Sequence, residues 1–209
     1  MHTILNILSQ LLSIVCYPLF VPTYGMLLYT LVMTQRIPTL PQSYVWVSIL
    51  GTFALTALLP IIFICILWRK KKISSLHIDN PHERTMPYVY SIVCFAFWCY
   101  FLYHSVKMPL VWVLIAMGAT TALGLVTIIN RQWKISAHLT AMGGLLGGVC
   151  SISLYYGTVS FIAVALICLL SLLLMYARLY MKAHTPTQVV CGYILGILCT
   201  FIPNYVIYA

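Results

Sequence analysis

Apolar residues in this chain run in long uncharged blocks separated by short polar segments, and each block is about the size of one membrane crossing. A helix needs about 20 apolar residues to traverse the ~30 Å hydrocarbon layer. Blocks of that kind lie at 4–33, 44–68, 87–104, 109–130, 138–156, 158–177 and 187–208. The run from Ile135 to Ala177 carries no charge and is long enough for two crossings, with Tyr156-Gly157 as the turn between them. The first block is longer than one crossing needs and contains Pro18 and Pro22, which predicts a tilted, kinked or partly re-entrant element. Period-two alternation is absent, which excludes a transmembrane barrel. The expected fold class is all-α, a polytopic transmembrane helix bundle of six to seven spans, with residues 1–209 as a single transmembrane domain.

Composition agrees. The chain is 63% hydrophobic and 6% charged, against about 45–50% and roughly 25% in soluble domains. The excess apolar surface must face lipid. The eight cysteines (Cys16, Cys65, Cys94, Cys99, Cys150, Cys168, Cys191 and Cys199) fall within the apolar blocks and form no C-x-x-C pair. They read as small apolar core residues rather than disulfides or metal ligands. No Lys or Arg precedes Arg36, and the first block is too long for the apolar region of a cleavable signal peptide, so neither such a peptide nor a soluble domain is expected. The absence of an internal repeat counts against transporter folds built from repeated halves.

A formal net charge of +9 raises nucleic acid as a partner, but the basic residues are scattered at span ends and membrane topology explains them better. With seven spans, Arg69, Lys70, Lys71, Lys72, Arg84, Arg131, Lys134, Arg178 and Lys182 share one face, and Arg36 and Lys107 lie on the other. The positive-inside rule then puts the rich face in the cytoplasm. The expected location is a bacterial inner membrane, with lipids as the surrounding partners.

Three polar segments stand out between the blocks, at residues 71–88, 130–138 and 177–192. Two crossings separate each from the next, so all three return to the same face. Together they would gather His77, His82, Arg84, Lys134, Ser136, His138, Arg178, Lys182 and His184. Guanidinium groups match phosphate oxygens, and imidazole serves as nucleophile or general acid near neutral pH. The natural anion at this depth is a phosphorylated lipid headgroup. Other polar residues have plainer readings. Arg36, Lys107, Lys182 and the Arg69–Lys72 run suit snorkelling anchors, and His2 and His104 suit interfacial histidines. Asp79 and Glu83 are the only carboxylate side chains, too few for a two-metal phosphatase. The expectation is metal-independent chemistry without a cofactor.

The spacing Arg178-x5-His184-x3-Gln188, followed by Gly192 and Gly196, resembles the third signature of the type 2 phosphatidic acid phosphatase superfamily, S-R-x5-H-x3-D. Ile135-Ser136-Ala137-His138 resembles the second, P-S-G-H, and Arg84 with Pro87 is similar to a loosened first, K-x6-R-P. The resemblance covers residues 70–198 in the right order. It implies that His184 attacks phosphorus to form a phosphohistidine, that His138 protonates the leaving oxygen, and that Arg84 and Arg178 clamp the phosphate. Ser136 would donate a further hydrogen bond, and His77 stands where the superfamily has its lysine.

The departures from those signatures bear on activity. Ala177 and Ala137 replace a serine and a glycine, and Thr85 and Met86 separate Arg84 from Pro87. Gln188 replaces the aspartate that orients the nucleophilic imidazole and stabilises its charge; an amide can do only the first. Changing the corresponding carboxylate of a serine protease to an amide costs about 10⁴ in kcat. The resemblance therefore implies a membrane-embedded phosphatase of phosphorylated or pyrophosphorylated lipids, with weak activity as one outcome. A catalytically silent member that binds anionic lipid or a protein partner, and a small transporter, are the alternatives. Gly143, Gly144, Gly147 and Gly148, with Gly192 and Gly196, form small-x3-small patterns that predict close packing of the two helices following His138 and His184.

Overall fold

The computed structural model describes residues 2–75, 81–157 and 160–209, with side chains for 4–75, 83–157 and 160–209. His77, Asp79 and the side chain of His82 lie outside the described residues. Among the described residues eight helices follow one another: α1 (His2–Val15), α2 (Val21–Arg36), α3 (Gln42–Arg69), α4 (Thr85–His104), α5 (Leu110–Ile129), α6 (Ala137–Tyr156), α7 (Phe161–Tyr180) and α8 (Pro186–Tyr208). A 3₁₀ turn, Pro81–Arg84, leads into α4. From α3 onward, six helices are long and apolar enough to cross a membrane. Their outer faces carry large apolar side chains such as Phe161 and Ile162, each more than three-quarters exposed. The chain is an all-α polytopic helix bundle and an integral membrane protein.

The first apolar block is two helices rather than one. Pro18 has no N–H to continue the helical ladder, and α1 ends at Val15. The Tyr24 hydroxyl donates to the carbonyl of Val15 at 2.8 Å, satisfying one of the acceptors left open at that end. Pro22 then occupies the first turn of α2, where a missing N–H costs nothing. At 16 residues, α2 is about 24 Å long. It runs beside α6 in the same direction, with Val21 near Leu139 at one end and the Tyr156 hydroxyl donating to the Met33 sulfur at the other. Arg36 stacks over the Tyr156 ring there, 4.7 Å from its centre. α1 packs along α7.

Local sequence explains the other breaks. Ser136 and Ser160 cap α6 and α7, and Thr185 with Gln188 forms a reciprocal capping box at α8. Gly157 ends α6 in the left-handed conformation (φ 66°) that glycine adopts without steric cost. In α3 a wide turn over Ala54–Leu58 precedes Pro60, adjusting the ladder where the proline cannot donate.

The most intimate packing is between α6 and α8. A methyl group added at Gly143 would collide with the Tyr193 carbonyl, and one at Gly196 with the Thr140 carbonyl. The small residues thus let the two backbones touch, as their spacing predicts. Ser151 and Thr200 bridge the pair, donating to the carbonyls of Thr200 (3.1 Å) and Gly144 (3.0 Å). The N-termini of both helices consequently lie together at one end of the bundle, where the Ser136 N–H donates to the Gln188 carbonyl at 3.3 Å.

Candidate active site

That shared end gathers residues from three polar segments. His184 sits in the short connection between α7 and α8 and is largely buried. Its Nδ1 lies 3.0 Å from the Lys134 carbonyl and 3.3 Å from Gln188 Oε1. The Thr185 N–H donates to the same Gln188 atom at 3.1 Å, which identifies that atom as the amide oxygen. Both neighbours of Nδ1 are therefore acceptors. Nδ1 carries the proton, and Nε2 is left with the lone pair that a nucleophile needs. Burial, reinforced by the Arg178 charge, pulls the His184 imidazole down to about 4, so the ring is neutral at physiological pH.

His138 lies in the first turn of α6. Its Nε2 is 3.2 Å from the carbonyl of Ser13 on α1, an acceptor, so Nε2 bears a proton there. The Tyr17 ring meets His138 edge-on at 5.6 Å. Arg178, in the last turn of α7, donates from Nη1 to the Ser13 hydroxyl at 3.5 Å. Arg84 is buried at the start of α4 and hydrogen-bonds Tyr88 one turn on. Both guanidinium groups act electrostatically on His138, Tyr17 and Tyr88, and Arg178 and Lys134 act on His184. Two imidazoles and two guanidinium groups thus share one buried neighbourhood, with the N-termini of α4, α6 and α8 at the same end, where helix dipoles favour an anion.

Several of these residues make contacts beyond the expected ones. Ser136 is fully buried, and its hydroxyl accepts from the Leu139 N–H at 3.5 Å as the cap of α6. It shapes the turn that carries His138, and a hydroxyl that accepts there can still donate. Gln188 both closes the capping box of α8 and faces His184. Lys134 contributes its carbonyl as well as its charge. Lys182 occupies a left-handed position (φ 52°) in the turn after α7. Glu83 accepts from the Ser74 N–H at 2.7 Å and from its hydroxyl at 2.9 Å, fastening the approach to α4. His77 lies outside the described residues.

Sequence reasoning missed Ser13, Tyr17 and Tyr88. Ser9 and Ser13 stand one helical turn apart in an apolar block and are both buried, a pattern that could have flagged an inward polar stripe. Among the described residues no three His, Cys, Asp or Glu side chains are grouped as a metal would require. Comparison of the chain with protein families, with characterised proteins and with solved structures yields no match.

Proposed function

We propose that this protein is a membrane-embedded phosphatase of phosphorylated or pyrophosphorylated lipids, working through a phosphohistidine at His184. The observation that carries this reading is the His184 imidazole, held on its Nδ1 side by two acceptors and left with an unprotonated Nε2 in the field of Arg178. The motif spacing that resembles the type 2 phosphatidic acid phosphatase signatures supports it independently.

In this scheme Nε2 of His184 attacks phosphorus in line and the bond to the lipid oxygen breaks. Arg84 and Arg178 hold the equatorial oxygens, whose charge the transition state spreads. His138, protonated on both nitrogens once a phosphate dianion is bound, gives a proton to the departing lipid alkoxide. It then takes a proton from the water that attacks the phosphohistidine, releasing inorganic phosphate and restoring His184. The lipid oxygen must displace the Ser13 carbonyl from His138 for this to occur. Gln188 orients His184 but leaves the new positive charge uncompensated, which predicts slow turnover. The second reading, a silent binder of anionic lipid, is favoured by that glutamine together with the Ser13 contact.

Purified protein incubated with phosphatidate or a polyprenyl pyrophosphate should release phosphate, and His184→Ala should abolish release while leaving the protein folded. If no lipid phosphate gives His184-dependent release, the enzyme reading is lost and the binding reading stands.

A further inference from the structure

A partly open apolar cavity of about 130 Å³ lies within the bundle, lined by the α1–α2 connection, α2 to α6 and Thr200 of α8. Its lining contains no charged residue. Along α6 it reaches from Ala137 to Ile152, and along α5 from Val126 to Trp112, about 21–22 Å at 1.5 Å per residue. It is therefore long and thin. Its upper end is next to the proposed chemistry, because Ala137 precedes His138 and Pro18 follows Tyr17, the ring that meets His138 edge-on. At its other end lies Trp112, which packs against the fully buried Tyr29 with ring centres 4.0 Å apart and planes tilted by 46°.

We infer that this cavity receives the hydrocarbon chain of the substrate, and that it selects single-chain lipid phosphates, prenyl or alkyl, over diacyl ones. This rests on the phosphatase reading for the head and adds an internal site for the tail. An apolar space of this size in a protein interior holds about one benzene ring. One chain can enter, with the remaining length gained as side chains yield, and two chains cannot. The polar head stays with Arg84 and Arg178 while the chain passes between Ala137 and Pro18. Each further methylene accommodated should tighten binding about fourfold, the factor that corresponds to ~0.8 kcal/mol per buried CH₂. The gain should stop where the chain meets Trp112.

The test uses His184→Ala protein in nanodiscs, so that bound probe is not consumed, and a dodecyl phosphate carrying a diazirine at its chain end. Illumination should place adducts on inward residues such as Leu102, Ile115 and Ile152. Ala119→Phe, which fills the cavity away from the catalytic groups, should lower those adducts at least tenfold. Unlabelled farnesyl phosphate and dodecyl phosphate should each compete at least tenfold better than dioleoyl phosphatidate. Adducts confined to outward residues such as Leu169 and Leu172 of α7, or equal competition by phosphatidate, would overturn the inference. Should Ala119→Phe fail to fold, the smaller Ala119→Leu and the competition series decide the matter. Interior adducts without His184-dependent phosphate release from wild-type protein would remove the phosphatase reading and keep the tail site. Release without interior adducts would do the reverse.

Discussion

His184 is held by neighbours that set both its tautomer and its charge. In the proposed mechanism only the neutral ring attacks, and the free imidazole has been drawn down to about 4 by burial and by Arg178. Once the second ionisation of the substrate phosphate, near pH 6, is divided out, the acid limb of kcat/KM should fall near pH 4 rather than near 6.5, the ordinary value for histidine. Rate measurements across pH 3–8 with a soluble short-chain lipid phosphate would check this. The same shift bears on stability. The unfolded histidine binds its proton below about pH 6.5 and the folded one only below about 4, so folding should weaken as pH falls across that window. Gln188→Asp should preserve or raise turnover, because a carboxylate can still accept from Nδ1 and also offsets the charge of the phosphohistidine. Loss of all activity in that variant would mean the amide does something this scheme lacks.

The helix pair α6 and α8 carries the site, and its precision depends on glycines that let the two backbones meet. Replacing Gly196 by alanine puts a methyl group against the Thr140 carbonyl. Overpacking of that kind typically costs about 1–3 kcal/mol. Unfolding in mixed micelles should show the loss, and phosphate release should fall more than stability does, since His138 and His184 would separate. Helix ends offer the opposite case. Lys71 and Lys182 sit in left-handed positions (φ 53° and 52°) after α3 and α7, where the next residue's N–H bonds back to Leu67 and to Arg178. That bond pattern normally selects glycine. Lys71→Gly, away from the histidines, should stabilise the protein by about 0.5–1 kcal/mol in the same unfolding assay.

At the scale of the whole molecule, α2 to α8 run back and forth between two ends, and the polar segments all return to one of them. α2 runs in the same direction as α6, because Val21 lies at the end with Leu139 and Met33 at the end with Tyr156. Single cysteines introduced at Lys72, Gln132 and Lys182 in a cysteine-free background should therefore react with an impermeant maleimide from one side of the membrane. A cysteine at Lys107 should react from the other. The excess of basic residues predicts that the first group labels only from the cytoplasm. Labelling of Gln132 and Lys182 from opposite sides would leave the site nowhere to assemble.

The apolar blocks alone determined the class of fold, since a helix is the way a lone chain segment satisfies its backbone in lipid. The spacing of those blocks also determined that residues 130–138 and 177–192 would share an end, and the glycine pattern that their helices would touch. Proline told only part of its story: Pro18 announced a disturbance in the first block, but whether the chain kinks or starts a new helix depends on groups such as the Tyr24 hydroxyl, nine residues away from the carbonyl it satisfies. Only the tertiary structure decided that Ser136 caps α6, that Ser13 reaches both His138 and Arg178, and that Lys134 lends His184 a carbonyl rather than only a charge. These are choices of hydrogen-bond partner among groups far apart in sequence. Periodicity and composition report which face of a helix avoids water, and carry no information about which acceptor a given donor will find.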